Sequence, residues 1–317
     1  MNIPVFDLHC ATVTELLGRD LSCSTPLRSN QLHIDLERMK IYPGYAQCFA
    51  FWSTTDLPLP KGMKVEDIFW REVSVLQDQI DKNKDLIRQA RSGADVRKNL
   101  EDGVISAIFT VEGPAGIGFD PAKLSKLYDL GFRISTLGWN EKNSLTGSHK
   151  TGGGLTKRGR EYVKECQKLG ILVDVSHISD EAFWQIMDMT EAPIIATHSN
   201  SRKVCPVSRN LTDEMFRAIC ATDGVAGFNL CADFVGEKPT VDTACDHIFH
   251  FLELDPAGTH IAIGGDLDGI SEMPEGFHGV QDYPKLAKRL LERGLDETIL
   301  KQIFWSNALG VIDKCSM

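Results

Sequence analysis

Three histidines and one glutamate, His9, Glu112, His177 and His198, each close or follow a short apolar, β-rich run. Polar residues at the ends of such runs are the ones a sheet can aim at a shared mouth. Three imidazoles and a carboxylate converging there suit a transition metal of the zinc type, and a bridging carboxylate would allow a pair of ions. A lone strand-end histidine is more often a hydrogen-bonded core residue, so it is their joint occurrence that points to a metal. Val173-Asp-Val-Ser-His177 alternates apolar and polar residues before its histidine. Its plain reading is a strand end that caps the next helix. Its functional reading makes His177 a ligand, with Ser176 or Asp174 taking the other ring N–H. Ile263-Gly-Gly-Asp-Leu-Asp-Gly269 places Asp266 after two glycines that permit close backbone packing. There Asp266 could take a proton from a metal-activated water and return it to a leaving amine, while Asp268-Gly269 reads as turn chemistry. Arg209 is either a solvated loop charge or a fork for a substrate carboxylate. Trp139 and Asn140, at a further strand end, are candidates to contact substrate.

The elements that must position these residues alternate. Strand-like runs are expected at residues 4–10, 45–52, 104–111, 132–139, 171–177, 193–199, 225–230 and 260–266. Helical periodicity covers 65–99, 121–130, 157–169, 180–189, 213–222 and 244–254, with 283–292 and 297–314 after the last strand. Thr156, Ser179 and Thr212 suit helix starts. Gly131, Gly170 and Gly224 stand where a left-handed residue would end a helix before a strand. Eight strands with intervening helices predict an α/β fold, a (β/α)8 TIM-type barrel of one domain spanning residues 1–317, whose site lies at the C-terminal strand ends. A doubly wound sheet would show a glycine-rich phosphate turn after the first strand, and Leu8-His-Cys-Ala-Thr12 has none.

Composition narrows the partners. The chain has 317 residues, with 34 Lys and Arg against 44 Asp and Glu, a net charge of −10. That balance argues against nucleic acid or an anionic membrane as the main partner. No apolar run approaches a membrane span, and the first residues carry no secretory pattern. Nine cysteines without a Cys-x-x-Cys pair read as reduced thiols, so a cytoplasmic location is expected. Cys10, beside His9, should point to the opposite face and serve as a small buried hydrophobe.

Taken together, Asp7-Leu-His9, Val111-Glu-Gly113, Gly154-Leu-Thr156, Val173-Asp-Val-Ser-His177, Ala196-Thr-His-Ser199, Arg209-Asn210 and Gly264-Gly-Asp-Leu-Asp-Gly269 resemble the membrane dipeptidase (renal dipeptidase) family of zinc metallopeptidases. The resemblance spans nearly the whole chain. It implies a barrel with two Zn2+ ions: His9 on the first, Glu112 bridging, His177 and His198 on the second. Arg209 would hold the substrate carboxylate, and Asp266 would contact the amine or move the proton. The implied reaction is hydrolysis of dipeptides, including those with a C-terminal D-residue; the family also suggests a homodimer.

Two departures matter. The family's first-strand motif is His-x-Asp, with that Asp on the first ion, whereas this chain reads His9-Cys10-Ala11. Asp7 shares the strand parity of His9 but lies about 6–7 Å back, one layer too deep. The first site is therefore expected to be weak or empty and activity reduced. The alternative is a weak or inert metal-containing protein of the same fold that binds small molecules. Trp139 stands where mammalian members carry a substrate-contacting histidine, which resembles the bacterial branch. A lactonase, deaminase or cyclic-amide hydrolase would more often show His-x-His on the first strand.

Overall fold

Apolar runs that are buried on both faces become parallel strands only when helices cover the sheet. The computed structural model describes residues 2–18, 20–55, 59 and 61–316. Among them are nine strands: β1 Val5–Cys10, β2 Tyr45–Trp52, β3 Ile87–Gln89, β4 Ile105–Glu112, β5 Phe132–Thr136, β6 Leu172–Asp174, β7 Ile194–Ile195, β8 Ala226–Phe228 and β9 Ile261–Ile263. All pair in parallel, in the order β7-β6-β5-β4-β2-β1-β9-β8, with β3 added beside β4. A single bridge between Ala196 and Ala226 links the two ends. The result is the expected nearly closed (β/α)8 barrel. Phe6, Leu8, Ala46, Cys48, Ile108, Ile134 and Ala262 pack as one cluster with Trp305, Leu309 and Ile312 of the C-terminal segment.

Several expected boundaries change for local reasons. The helix expected at 65–99 divides into Val65–Lys82 and Gly93–Glu101. Between them the chain pairs β3 with β4, and Ser92 starts the second helix by accepting from the Asp95 N–H at 3.2 Å. The segment 297–314 contains a π-helical turn at Gln302–Ser306. Most strands stop earlier than periodicity suggests. His177 and Asp266 have φ of 69° and 58°, a left-handed backbone that no strand can contain. Thr156, Ser179 and Thr212 do cap their helices. Gly224 is not left-handed; Asp223 takes that role at φ 62°. Gly224 is instead required by close approach, since a Cβ there would stand 1.7 Å from the Ile194 carbonyl oxygen.

Glu72, on the helix Val65–Lys82, is buried behind the barrel mouth. One of its oxygens accepts from the Thr14 hydroxyl at 2.9 Å; the other has no hydrogen-bond partner. Burial pushes its carboxyl up to about 8, with the Thr14 hydrogen bond opposing and the Glu112 charge adding to the rise. The folded chain therefore holds a proton that the unfolded chain releases near 4.5. Stability from this group is present below that point and is lost as pH rises towards about 8. Glu72→Gln is expected to stabilise the chain at pH 8 by on the order of 2–5 kcal/mol and to change little at pH 5. Urea unfolding at both pH values checks this; equal effects at the two would contradict it.

Candidate metal centre

Glu112 ends β4 with its side chain buried in the barrel mouth, and the three histidines close around it. Its Oε1 lies 2.9 Å from His177 Nε2 and 3.5 Å from His198 Nε2, while Oε2 lies 3.5 Å from His9 Nε2. The two oxygens thus divide between two sets of imidazoles. Asp266 Oδ1 stands 3.8 Å from His9 Nε2, and its Oδ2 accepts from Asn229 at 3.0 Å. His9, Glu112, His177, His198 and Asp266, separated by up to 257 positions, therefore meet as expected.

The hydrogen bonds outside this cluster decide which ring nitrogens face it. The Asn140 carbonyl oxygen accepts from His177 Nδ1 at 3.0 Å. Thr197 donates to Asp174 Oδ2 at 2.6 Å, so its hydroxyl oxygen accepts from His198 Nδ1 at 2.7 Å. Both rings thus carry their proton on Nδ1 and turn an Nε2 lone pair inward. Those two nitrogens are 2.9 Å apart, with Glu112 Oε1 beside them. Lone pairs and a carboxylate this close repel unless a cation lies among them, so the residues fit a metal ion. Burial and the positive charge of Arg209 hold His177 down to about 4. Burial and the charge on His9 hold His198 well below its ordinary value. Burial alone would raise the Glu112 carboxyl, but His9 and the neighbouring rings hold it far down. His9 is pushed up to about 9, against its burial, by the Glu112 and Asp266 carboxylates. Its Nε2 is buried without a hydrogen-bond partner. The pocket therefore demands positive charge on both sides of Glu112.

Asp174, a candidate partner of His177 by sequence, has another role. Its carboxylate accepts from Thr136, Thr197 and the Ser176 and Thr197 N–H groups, and so braces His198. Thr197→Val is expected to weaken metal retention about 10–100-fold with the fold intact. Competition with a chelator, beside a near-ultraviolet dichroism spectrum, measures both.

A cavity of about 320 Å³ opens above the cluster, lined by Ala11, Trp52, Glu112, Trp139, Asn140, His177, Cys231, Phe234 and Asp266 among others. Trp139 meets Trp52 edge to face at 5.1 Å. Arg209 lies to one side, in a smaller hollow with His177 and Ser208. It is not a solvated loop charge: it is buried, Nη1 donates to Ser199 at 2.7 Å, and Nε and Nη2 have no partner. Asp7 is taken up elsewhere. Its carboxylate accepts from Tyr283 and from the His9 and Gly265 N–H groups, and the β1 ladder shifts register between Asp7 and Cys10.

Two residues escaped the sequence reading. Trp52 ends β2 with a side chain that is neither acidic nor basic. His149, in the loop before the helix Lys157–Leu169, shares Asn140 Oδ1 with His177 at 2.9 Å. Only the glycines around it, Gly147 and Gly152–Gly154, mark that loop as tightly folded.

A family model described as membrane dipeptidase (peptidase family M19) matches residues 1–316. The chain belongs to this family. It is therefore related to metallopeptidases, and its barrel and donor set fit that membership. It is 33% identical over 260 residues to an uncharacterized protein in the pqqA 5′ region of Klebsiella pneumoniae, covering 78% of this chain and 95% of that one. It is 36% identical over 214 residues to an uncharacterized dipeptidase of Schizosaccharomyces pombe, covering 65% of this chain and 52% of that one. Among solved structures it superposes, with TM-score 0.90, 26% identity and 99% and 100% of the two chains covered, on a metallopeptidase of Rhodobacter sphaeroides liganded with a phosphinate mimic of L-Ala-D-Ala. A dipeptidase of the same family matches with TM-score 0.90 and 27% identity over 99% of both chains. Among the described residues no helix is long and apolar enough to cross a membrane.

Proposed function

We propose that this chain hydrolyses dipeptides, those with a C-terminal D-residue included, using zinc held by His9, Glu112, His177 and His198. The observation that carries this reading is the division of the Glu112 oxygens between His9 on one side and His177 with His198 on the other. Bound zinc would supply a water made acidic near neutral pH and would polarise the scissile carbonyl.

The chain's own residues supply the rest. Arg209 offers two unpaired N–H donors for a substrate carboxylate. Asp266 Oδ1 stands 3.8 Å from His9 Nε2 while Asn229 fixes Oδ2, so the carboxylate is placed beside the ions to take a proton and return it. Trp139 and Trp52 wall one side of the cavity, and Asn140 orients His177 and His149. A volume of about 320 Å³ is at the small end for a ligand site and suits two residues rather than a longer peptide. Nine free thiols favour a reducing compartment such as the cytoplasm.

Ala11 withholds a carboxylate from the His9 side, so that another acid must stand in for it and turnover is below what the scaffold could reach. Ala11→Asp is expected to raise it by roughly tenfold or more, the scale on which metal-site residues act. The test is hydrolysis of a dipeptide panel, L-Ala-D-Ala among them, with zinc present. If neither the chain nor Ala11→Asp cleaves any member, the reading fails and a binding role replaces it.

A further inference from the structure

We propose that Asp266 replaces the carboxylate missing at position 11 and serves as a ligand of the first ion, together with His9 and Glu112. This rests on the hydrolytic reading above and concerns how this chain fills that site. The need is visible at His9, whose buried Nε2 has no hydrogen-bond partner and faces two carboxylates. The distances from His9 to each carboxylate suit a shared cation. Ligand atoms about 2.0–2.1 Å from a tetrahedral zinc stand about 3.3 Å from one another. His9 Nε2 lies 3.5 Å from Glu112 Oε2 and 3.8 Å from Asp266 Oδ1. One nitrogen and one oxygen of His9 and Asp266 also lie within 4.8 Å of each other and of a His198 ring nitrogen. His198 gives its Nε2 to the other side of Glu112, so His9 and Asp266 remain for the first ion.

The position is right as well. A Cβ built on Gly269 would stand 2.5 Å from Asp266 Oδ1 and 3.2 Å from the Ala11 Cβ. The Asp266 oxygen and the Ala11 methyl therefore border the same point, and only glycine at 269 leaves it open. Asp266 is held there firmly. Its backbone is left-handed at φ 58°, its N–H donates to the His9 carbonyl at 3.1 Å, and Asn229 fixes Oδ2. Conformations of that kind persist where the surroundings over-determine them. Oδ1 is the oxygen left to face His9.

Metal counting decides the matter. Zinc per chain is measured by plasma mass spectrometry after dialysis, for the natural chain, Asp266→Asn, Ala11→Asp and the double variant. The expected counts are two, one, two and two. The double variant guards against misfolding, because the carboxylate restored at position 11 recovers the second ion while that of position 266 is still missing. Two ions retained by Asp266→Asn would overturn the proposal. So would one ion in the natural chain rising to two in Ala11→Asp. Either result leaves dipeptide hydrolysis standing, since that reading falls only with the peptide panel.

Discussion

Glu112→Gln is expected to lower dipeptide hydrolysis by about 10³-fold or more and to strip the chain of bound metal. An outer residue of a metal site is worth about 10–100-fold, and Glu112 is the centre of this one. Its two oxygens lie within 3.5 Å of all three candidate histidine ligands. The amide leaves one oxygen and one N–H₂ group, so it can face one ring set as an acceptor but turns a donor towards the other. It also removes the negative charge that balances the ions. The fold should survive, because β4 is held by its ladder to β2 and β5 and by apolar neighbours such as Phe109 and Val111. Steady-state hydrolysis and metal content measure the two effects. A variant that keeps both ions and loses less than tenfold in rate would remove Glu112 from the centre of the mechanism.

Arg209→Met should lower kcat/KM for free dipeptides by about 10²–10³-fold, the scale on which losing one partner of a buried charged pair is felt. The guanidinium is buried with two donors unsatisfied, an arrangement that costs stability unless a ligand completes it. The same substitution should therefore raise the melting temperature while activity falls. Dipeptides whose C-terminus is amidated should lose far less, because they present no carboxylate to lose. Arg209→Lys should recover only part of the rate, since an ammonium cannot present two parallel donors. Equal losses on free and amidated dipeptides would show that Arg209 does not read the carboxylate.

The barrel was legible because most apolar runs ended in a distinctive residue, and because Thr156, Ser179 and Thr212 punctuate the helices where a cap is needed. The donor set followed from the same rule, since a barrel brings every strand end to one mouth. What failed was local. Asp7 is not such a case: it lies one layer too deep, as expected, with its carboxylate taken by Tyr283 and by the His9 and Gly265 N–H groups. The sequence offers support for His177 one or three residues away, at Ser176 or Asp174, yet it comes from Asn140, while Asp174 reaches His198 through Thr197. His149 could not be found, because its approach depends on the path of a loop rather than on any period. Asp266 was recognised as acidic and well placed, but its closeness to the Ala11 methyl needed the turn at Gly269.

One crystal of the zinc-loaded chain, measured at the zinc absorption edge, tests the central claim most directly. The expected result is an anomalous peak bonded to His177 Nε2, His198 Nε2 and Glu112 Oε1. Peaks confined to other surfaces, with these three side chains free of metal, would contradict it.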